Sequence, residues 1–305
     1  MNSTVAIVVT YNRKKLLEEN INALLNQKYK CDILVIDNAS TDGTDKMVSE
    51  FNDGRIIYVN TGKNLGGAGG FSFGVKKAIE KGYEFGWIMD DDSIANENAL
   101  ESLQQKAKMV DYNFSFFASL VYWIDKKIFP MNYADFISYN KNNSINTANL
   151  ISKYKIAEID SCSFVGCFVN LKIAKQIALP IADFFIYGDD IEYTRRLSRK
   201  EKAYIDFDSI IVHKAPSNIG SDIRYASINR IDRFFYQSRN RMYMAKRDGY
   251  IFKRLKIFIK QIIGIMFKSK DNKVKRIKVL IKGTLAGLRF NPKLEYVDDE
   301  TIKGE

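Results

Sequence analysis

Phe85-Gly86-Trp87-Ile88-Met89-Asp90-Asp91-Asp92 reads as an apolar strand that runs directly into three adjacent carboxylates. Three like charges at one point repel unless a cation joins them. Oxygen ligands of this kind suit Mn²⁺ or Mg²⁺, hard ions that complete their coordination with water and substrate phosphates. An acidic turn capping a helix that begins near Glu97 is the competing reading. The strand in front of the aspartates favours the metal, because ligands of open α/β sheets bind outside the carboxyl ends of the strands.

Towards the N-terminus, short β-branched runs alternate with helical patterns. Val5-Ala6-Ile7-Val8-Val9, Ile33-Leu34-Val35-Ile36 and Ile56-Ile57-Tyr58-Val59 are the strands, while Leu16, Leu17, Ile21, Leu24 and Leu25, and later Val75, Ala78 and Ile79, recur at helical spacing. That rhythm predicts βαβ units and a parallel sheet. Polar turns, Thr10-Tyr11-Asn12-Arg13 and Asp37-Asn38-Ala39-Ser40-Thr41-Asp42-Gly43, follow the first two strands at the end where ligands bind. Asn64-Leu65-Gly66-Gly67-Ala68-Gly69-Gly70-Phe71 precedes a helix, so its backbone amides are free to approach a phosphate or sugar. It matches neither a Walker A loop nor G-x-G-x-x-G, and a plain flexible loop is the alternative.

Towards the C-terminus, residues 114 to 213 are less regular, with an Asn-rich loop near Asn140 to Asn149, an apolar strand at Phe164 to Val169 and a helix-like stretch from Asp183 to Arg199. Asp189-Asp190-Ile191-Glu192 follows the aromatic run Phe184-Phe185-Ile186-Tyr187-Gly188. A carboxylate there suits removal of a proton from an attacking hydroxyl, and the rings suit a sugar platform. A helix N-terminal cap is the structural alternative. His213, the only histidine, ends the short strand Ile210-Ile211-Val212. A neutral imidazole at that point completes a metal site, or is merely structural.

With 305 residues, 46% of them hydrophobic, the chain can bury a sizeable core and is neither disordered nor fibrous. Cys31, Cys162 and Cys167, an odd count without close metal spacing, read as reduced core residues, the last two in one buried strand region. No apolar run reaches the roughly 18 residues of a membrane span, and Met1-Asn2-Ser3-Thr4-Val5 has neither basic flank nor cleavage site, which predicts a cytoplasmic protein. The formal net charge is +11, and the segment from Lys246 to Lys282 carries 13 Lys or Arg against two acids, an excess of 11 that equals that of the whole chain. There Ile251, Leu255, Phe258, Ile262 and Met266 form one apolar face beside a basic one, the pattern of a helix lying on an anionic membrane surface. Packing of that face on the rest of the protein is the alternative. A membrane- or nucleic-acid-binding protein driven by charge alone leaves the acidic clusters unexplained, and no nucleic-acid partner is expected.

Taken in order, Val8-Val9-Thr10-Tyr11-Asn12-Arg13, Val35-Ile36-Asp37-Asn38-Ala39-Ser40-Thr41-Asp42-Gly43-Thr44, the Gly-rich stretch and the triple aspartate resemble the family 2 glycosyltransferases over roughly residues 4 to 245. The resemblance implies an α/β fold of the nucleotide-diphospho-sugar transferase (GT-A) type, a Rossmann-like mixed sheet with a C-terminal helical extension. It divides the chain into a catalytic domain at 1–226, with donor half 1–113 and acceptor half 114–226, and a basic helical region at 227–305. Asp189-Asp190-x-Glu192 and the downstream His213 look like the galactofuranosyltransferase and rhamnosyltransferase branch of bacterial polysaccharide assembly.

The resemblance further implies an inverting transfer. Asp90 and Asp92 with His213 would hold Mn²⁺ or Mg²⁺, and Thr10, Asn12, Arg13, Asp37, Asn64, Gly67, Asp90 and Asp91 would line the nucleotide-sugar donor. Asp190 would deprotonate the acceptor, Asp189 and Glu192 would orient it, and Trp87 would support the carboxylate strand. The donor would be UDP-galactofuranose, with dTDP-rhamnose as the alternative, and the acceptor a lipid-linked glycan at the inner membrane face. A sugar nucleotidyltransferase shares the fold class, but Arg13-Lys14-Lys15 only partly supplies the basic loop it needs. An Asp-x-Asp phosphatase would place its motif after the first strand, which here ends in Thr10-Tyr11-Asn12.

Overall fold

In the computed structural model, which describes residues 2–132, 134–137, 141–216 and 220–297 and only the backbone at 141–144, the first apolar run is a strand buried along its whole length. A strand covered on both faces needs no polar alternation, and that explains the unbroken Val-Ile pattern. Strand β1 (Thr4–Thr10) is followed by α1 (Lys14–Leu25), β2 (Asp32–Asp37), α2 (Thr44–Glu50), β3 (Ile56–Asn60), α3 (Gly66–Glu80) and β4 (Phe85–Asp90). These four strands are mutually parallel in the order β3-β2-β1-β4, as the βαβ rhythm predicts.

The second half continues the same sheet with mixed directions. It comprises β5 (Ser93–Ala95), α4 (Ala99–Met109), β6 (Phe116–Trp123), β7 (Asp135–Phe136), α5 (Lys141–Asn149), β8 (Ile156–Ser161), β9 (Val165–Asn170), α6 (Leu171–Ala174), α7 (Asp189–Ser198) and β10 (Ala203–His213). The sheet runs β3-β2-β1-β4-β9-β6-β10-β8-β7, with β5 paired to β10; β9 and β8 are antiparallel to the first four strands and β6 and β10 parallel to them. Both its faces are covered. Ile7 and Val9 pack with Phe71 and Val75 of α3 on one side, and Ala6 and Val8 with Leu17 and Ile21 of α1 on the other.

Helices α8 (Phe234–Arg247), α9 (Ile251–Lys268) and α10 (Lys273–Arg289) complete the chain. Phe258 and Ile262 of α9 pack, with the buried Ile265, on a small core of Ile223, Phe234 and Leu280. The apolar face expected on α9 is thereby divided. Leu255 and Met266 instead join Phe252, Ile259, Ile263 and Phe267 in an exposed stripe, with Phe252 and Phe267 at 78% and 82% exposure.

Three other expectations are corrected. The segment from Asn140 to Asn149 is no loop: Lys141–Asn149 is helical and passes into a π turn at Leu150–Tyr154, while Asn140 lies outside the described residues. The stretch from Asp183 to Arg199 is broken, because Phe185, Tyr187 and Gly188 take positive φ angles and helix begins only at Asp189. Cys162 and Cys167 are buried and free but belong to different segments, the first just past β8 and the second within β9.

Candidate active site

Strand register brings the predicted donor residues together. Thr10 pairs with Asp37 across β1 and β2, and Val9 with Asp90 across β1 and β4, so the carboxyl ends of three adjacent strands open on one cleft. The connection from β1 runs to β2 on one side and that from β3 crosses back to β4 on the other, so the topological switch point of the parallel half lies between β1 and β4. Asp91 and Asp92 are each only 3% exposed, so the exposed acidic turn is excluded. The Thr10 hydroxyl donates to Asp91 Oδ2 (2.8 Å), and Arg13 Nη1 donates to Asp91 Oδ1 (3.2 Å) and Asp92 Oδ2 (2.5 Å).

One guanidinium facing three acids leaves the set short of positive charge. Burial, with the charges of Asp92 and Asp91, pushes Asp90 well above the ordinary carboxylate range. Burial also lifts Asp91, to about 6, against the pull of Arg13. Burial acts on Asp92 in the same sense, but hydrogen bonding and charge from His213 and Arg13 together hold it below its usual value.

His213 reaches this group because β10 lies against β5, where it pairs with Ser93. Its Nε2 is 2.9 Å from Asp92 Oδ1 and its Nδ1 is 2.7 Å from Asn132 Oδ1. Asn132 Nδ2 donates to Ser163 Oγ (2.9 Å), which turns the amide oxygen towards the ring. Each ring nitrogen thus faces an oxygen, and the two contacts together fix the orientation of the ring. Asp90, Asp92 and His213 each offer a ligand atom within 4.8 Å of the others. Two hard oxygens and one imidazole, the latter oriented by a further hydrogen bond, fit a divalent ion of the Mn²⁺ or Mg²⁺ kind. Asn132 is invisible in the sequence, which offers only Pro130 as a turn signal before it.

The rest of the donor rim is tied together by Asn12. Its Oδ1 accepts from Thr41 N (2.7 Å) and its backbone N–H donates to Ser40 Oγ (2.8 Å), so the turns after β1 and β2 form one wall. Asp37 lies fully buried beneath it, accepting from Ser40 N (2.8 Å) and from Tyr58 Oη (2.5 Å). Asn64 accepts from Gly66 N, and Gly67 faces open space. The Gly-rich stretch does not precede the helix as expected but forms its first turns, from Gly66 onward, and Gly70 there serves packing, as does Gly74 beyond it. A Cβ on Gly70 or Gly74 would collide with Val9 or Ile7, so these glycines let α3 lie close on the sheet. Trp87 is fully buried between the sheet and its helices.

On the opposite wall stand Asp189 and Asp190, at the start of α7. Asp189 is among the charges that raise Asp90, and the loop that leads to it packs on the start of α3, where Ala68 N donates to Phe185 O (3.2 Å). Burial and the charge of Asp190 push Asp189 up to about 8, and burial lifts Asp190 to about 6 against its hydrogen bond from Ile191 N–H and the charge of Arg241. The loop that presents them is held from α8. Asn240 Nδ2, completely buried, donates to the carbonyls of Phe184 (3.0 Å), Ile186 (3.1 Å) and Tyr187 (2.9 Å). Gly66 closes the loop from the donor side, since with φ +73° and Phe185 O only 2.2 Å from where a Cβ would sit, no other residue fits. Glu192 does not join the two aspartates at the cleft: it is 0% exposed, with its carboxylate clamped by Arg196 (2.8 and 2.9 Å) and by Arg247.

The sequence of residues 5–171 matches the family described as glycosyl transferase family 2. The galactofuranosyltransferase GlfT1 of Mycobacterium tuberculosis (strain H37Rv) is 27% identical over 262 residues, 81% of this chain and 83% of that protein. Its counterpart in Mycolicibacterium smegmatis is 27% identical over 202 residues, 64% of this chain and 65% of that protein, a little under two thirds of its length. Among solved structures, the mannosyltransferase of Pyrobaculum calidifontis, in complex with GDP-mannose and Mn²⁺, superposes with a TM-score of 0.56 at 15% identity, covering 95% of this chain and 76% of that one. At that identity the likeness is one of fold.

Proposed function

This chain belongs to the family 2 glycosyltransferases, with their GT-A fold, and from that premise we propose that it transfers galactofuranose from UDP-galactofuranose, with inversion, onto a lipid-linked glycan during cell-surface polysaccharide synthesis. The observation that carries the reading is the cation-binding set Asp90, Asp92 and His213 at the strand ends, and the reading takes Asp189 and Asp190 as the carboxylates that face it. The galactofuranosyltransferase relatives favour the sugar, and dTDP-rhamnose remains the alternative donor.

In this mechanism Asp190 accepts the proton of the acceptor hydroxyl. The hydroxyl oxygen forms its bond to the anomeric carbon as the bond to the diphosphate breaks on the opposite face, and the electron pair leaves with UDP. A divalent ion held by Asp90, Asp92 and His213 would offset the negative charge that develops on the departing diphosphate. Arg13 supplies further positive charge at the same edge, and the rim of Thr10, Asn12, Asp37, Asn64 and Gly67 orients the nucleotide. Asp189 holds the acceptor beside Asp190.

A lipid-linked acceptor is supported by α9, whose exposed stripe of Phe252, Leu255, Ile259, Ile263, Met266 and Phe267 is bordered by Lys253, Lys256 and Lys260. Such a helix lies in the interface of an anionic leaflet, each Lys near the surface adding about 1 kcal/mol. Among the described residues no helix is long and apolar enough to cross a membrane, so this reading is of peripheral attachment at the inner face. The test is a screen of UDP-galactofuranose, dTDP-rhamnose and other nucleotide-sugars for hydrolysis with and without Mn²⁺ or Mg²⁺. Metal-stimulated release of UDP from UDP-galactofuranose is expected, and turnover of none of the donors would overturn the reading.

A further inference from the structure

The inner face of α9 carries an unexplained cation. Arg254 is 4% exposed, its Nη1 donates to Gln261 Oε1 (3.2 Å), and its Nε has no hydrogen-bond partner. Buried guanidinium groups are normally paired with acids. Here the neighbouring charge is another cation, Arg241 of α8. Arg241 is solvent-accessible and lies within electrostatic reach of Asp190, Tyr187, Tyr250 and Asp222. Burial and the charge of Arg241 pull Arg254 down to about 10. Beside Arg254, a cavity of ≈ 500 Å³ opens between α7 and α9, lined by Arg195, Arg199, Tyr250, Lys253, Arg254 and Ile257. Its two acids are already engaged, Asp160 by Arg195 (3.0 Å) and Asp248 by Arg247 (2.9 Å). Crowded like charges call for a counterion, the argument that applied with opposite sign to the three aspartates.

We propose that Arg254 and the cavity it lines, with Arg241 within electrostatic reach, form an anion subsite for a phosphate or diphosphate ester of the acceptor. This rests on the transferase reading, in which Asp190 takes the acceptor proton. Guanidinium groups bind phosphate oxygens through paired, charge-assisted hydrogen bonds, and Arg254 has an unused N–H to give. The subsite sits on the opposite side of α9 from the exposed apolar stripe. An acceptor anchored in a leaflet by its lipid therefore meets the arginines through its phosphate and Asp190 through its sugar.

Three titrations of the full chain separate the possibilities: inorganic diphosphate without divalent metal, UDP with Mn²⁺, and vesicles containing phosphatidylglycerol. Arg254→Gln and Arg241→Gln are each expected to weaken diphosphate binding at least tenfold and to leave UDP–Mn²⁺ and vesicle binding unchanged, with Arg254→Lys intermediate. Unchanged diphosphate affinity in the variants overturns the subsite. Parallel loss of vesicle binding also overturns it, since the anion would then be a bulk lipid headgroup. If Arg254→Gln does not fold, Arg241→Gln carries the test, because its side chain is exposed. Failure of the wild-type protein to bind UDP with Mn²⁺ would instead strike the transferase reading.

Discussion

The two walls of the cleft are built on different principles. The proposed donor wall, Asp90 to Asp92 with Thr10 and Arg13, stands on the ends of buried parallel strands whose positions follow from sheet register. The proposed acceptor wall, Asp189 and Asp190, hangs on a loop with positive φ at Phe185, Tyr187 and Gly188, kept in place by Asn240 and by the space that Gly66 leaves. Regular strands make a rigid platform at little conformational cost. A loop in a sparsely populated conformation persists only because its surroundings over-determine it. The metal side should therefore fail by loss of a ligand, and the base side by loss of a support as well as of the base.

Substitution on the metal wall gives the largest expected effect. Asp92→Ala should reduce transfer by on the order of 10³-fold or more, the scale for removing stabilisation of developing charge. Folding should be retained, because the strand beneath is unaffected. Normal turnover at saturating Mn²⁺ would sink the assignment.

Asp190→Asn tests the other wall and should lower turnover by about 10²- to 10⁴-fold while nucleotide-sugar affinity is kept. The reaction needs the ionised form of Asp190, whose proton leaves at about pH 6. The rate should therefore fall as pH drops through that value, a dependence that the Asn variant should lose. A donor affinity that falls while turnover is normal would move Asp190 to the donor site.

The supports come next. Asn132→Ala frees the His213 ring to rotate and should weaken Mn²⁺ affinity by about 10- to 100-fold, with activity recovered at high metal concentration. A metal titration identical to wild type would reduce Asn132 to a packing role. Asn240→Ala takes the side-chain donor from the carbonyls of Ile186 and Tyr187, while Phe184 O keeps those of Ile186 N and Arg239, and should cost about 1–3 kcal/mol of stability. It should lower turnover more than donor affinity; equal losses in both would contradict the division between the walls.

Much of the donor wall is legible in the chain because its parts are local. Three aspartates in a row after an apolar strand, and polar turns after two others, need only strand direction to be understood. His213 could be named as a candidate from its place at a strand end, but its partner Asn132 is 81 residues away, and nothing short of the fold joins them. The Gly-rich stretch was visible, whereas its purpose was not: Gly70 and Gly74 answer to Val9 and Ile7 in the sheet, and Gly66 to Phe185 on the far wall. Glu192 looked like a third cleft carboxylate because it is two residues from Asp190. One helical turn is about 3.6 residues, so two steps rotate it to the buried side, where Arg196 and Arg247 wait.

The sequence by itself determined the alternation of strands and helices, the acidic strand end and the basic, amphipathic C-terminus, since each is a matter of neighbouring residues and their periodicity. Tertiary structure decided which charges are shared. It brought His213 to Asp92, tied Glu192 to Arg247, suspended the Asp190 loop from Asn240, and turned Arg254 inward while Phe252, Ile259 and Phe267 faced out. The physical reason is that α9 is apolar on more than one side. A helix of that kind has several faces able to pack, and only the shape of the surface it meets selects among them.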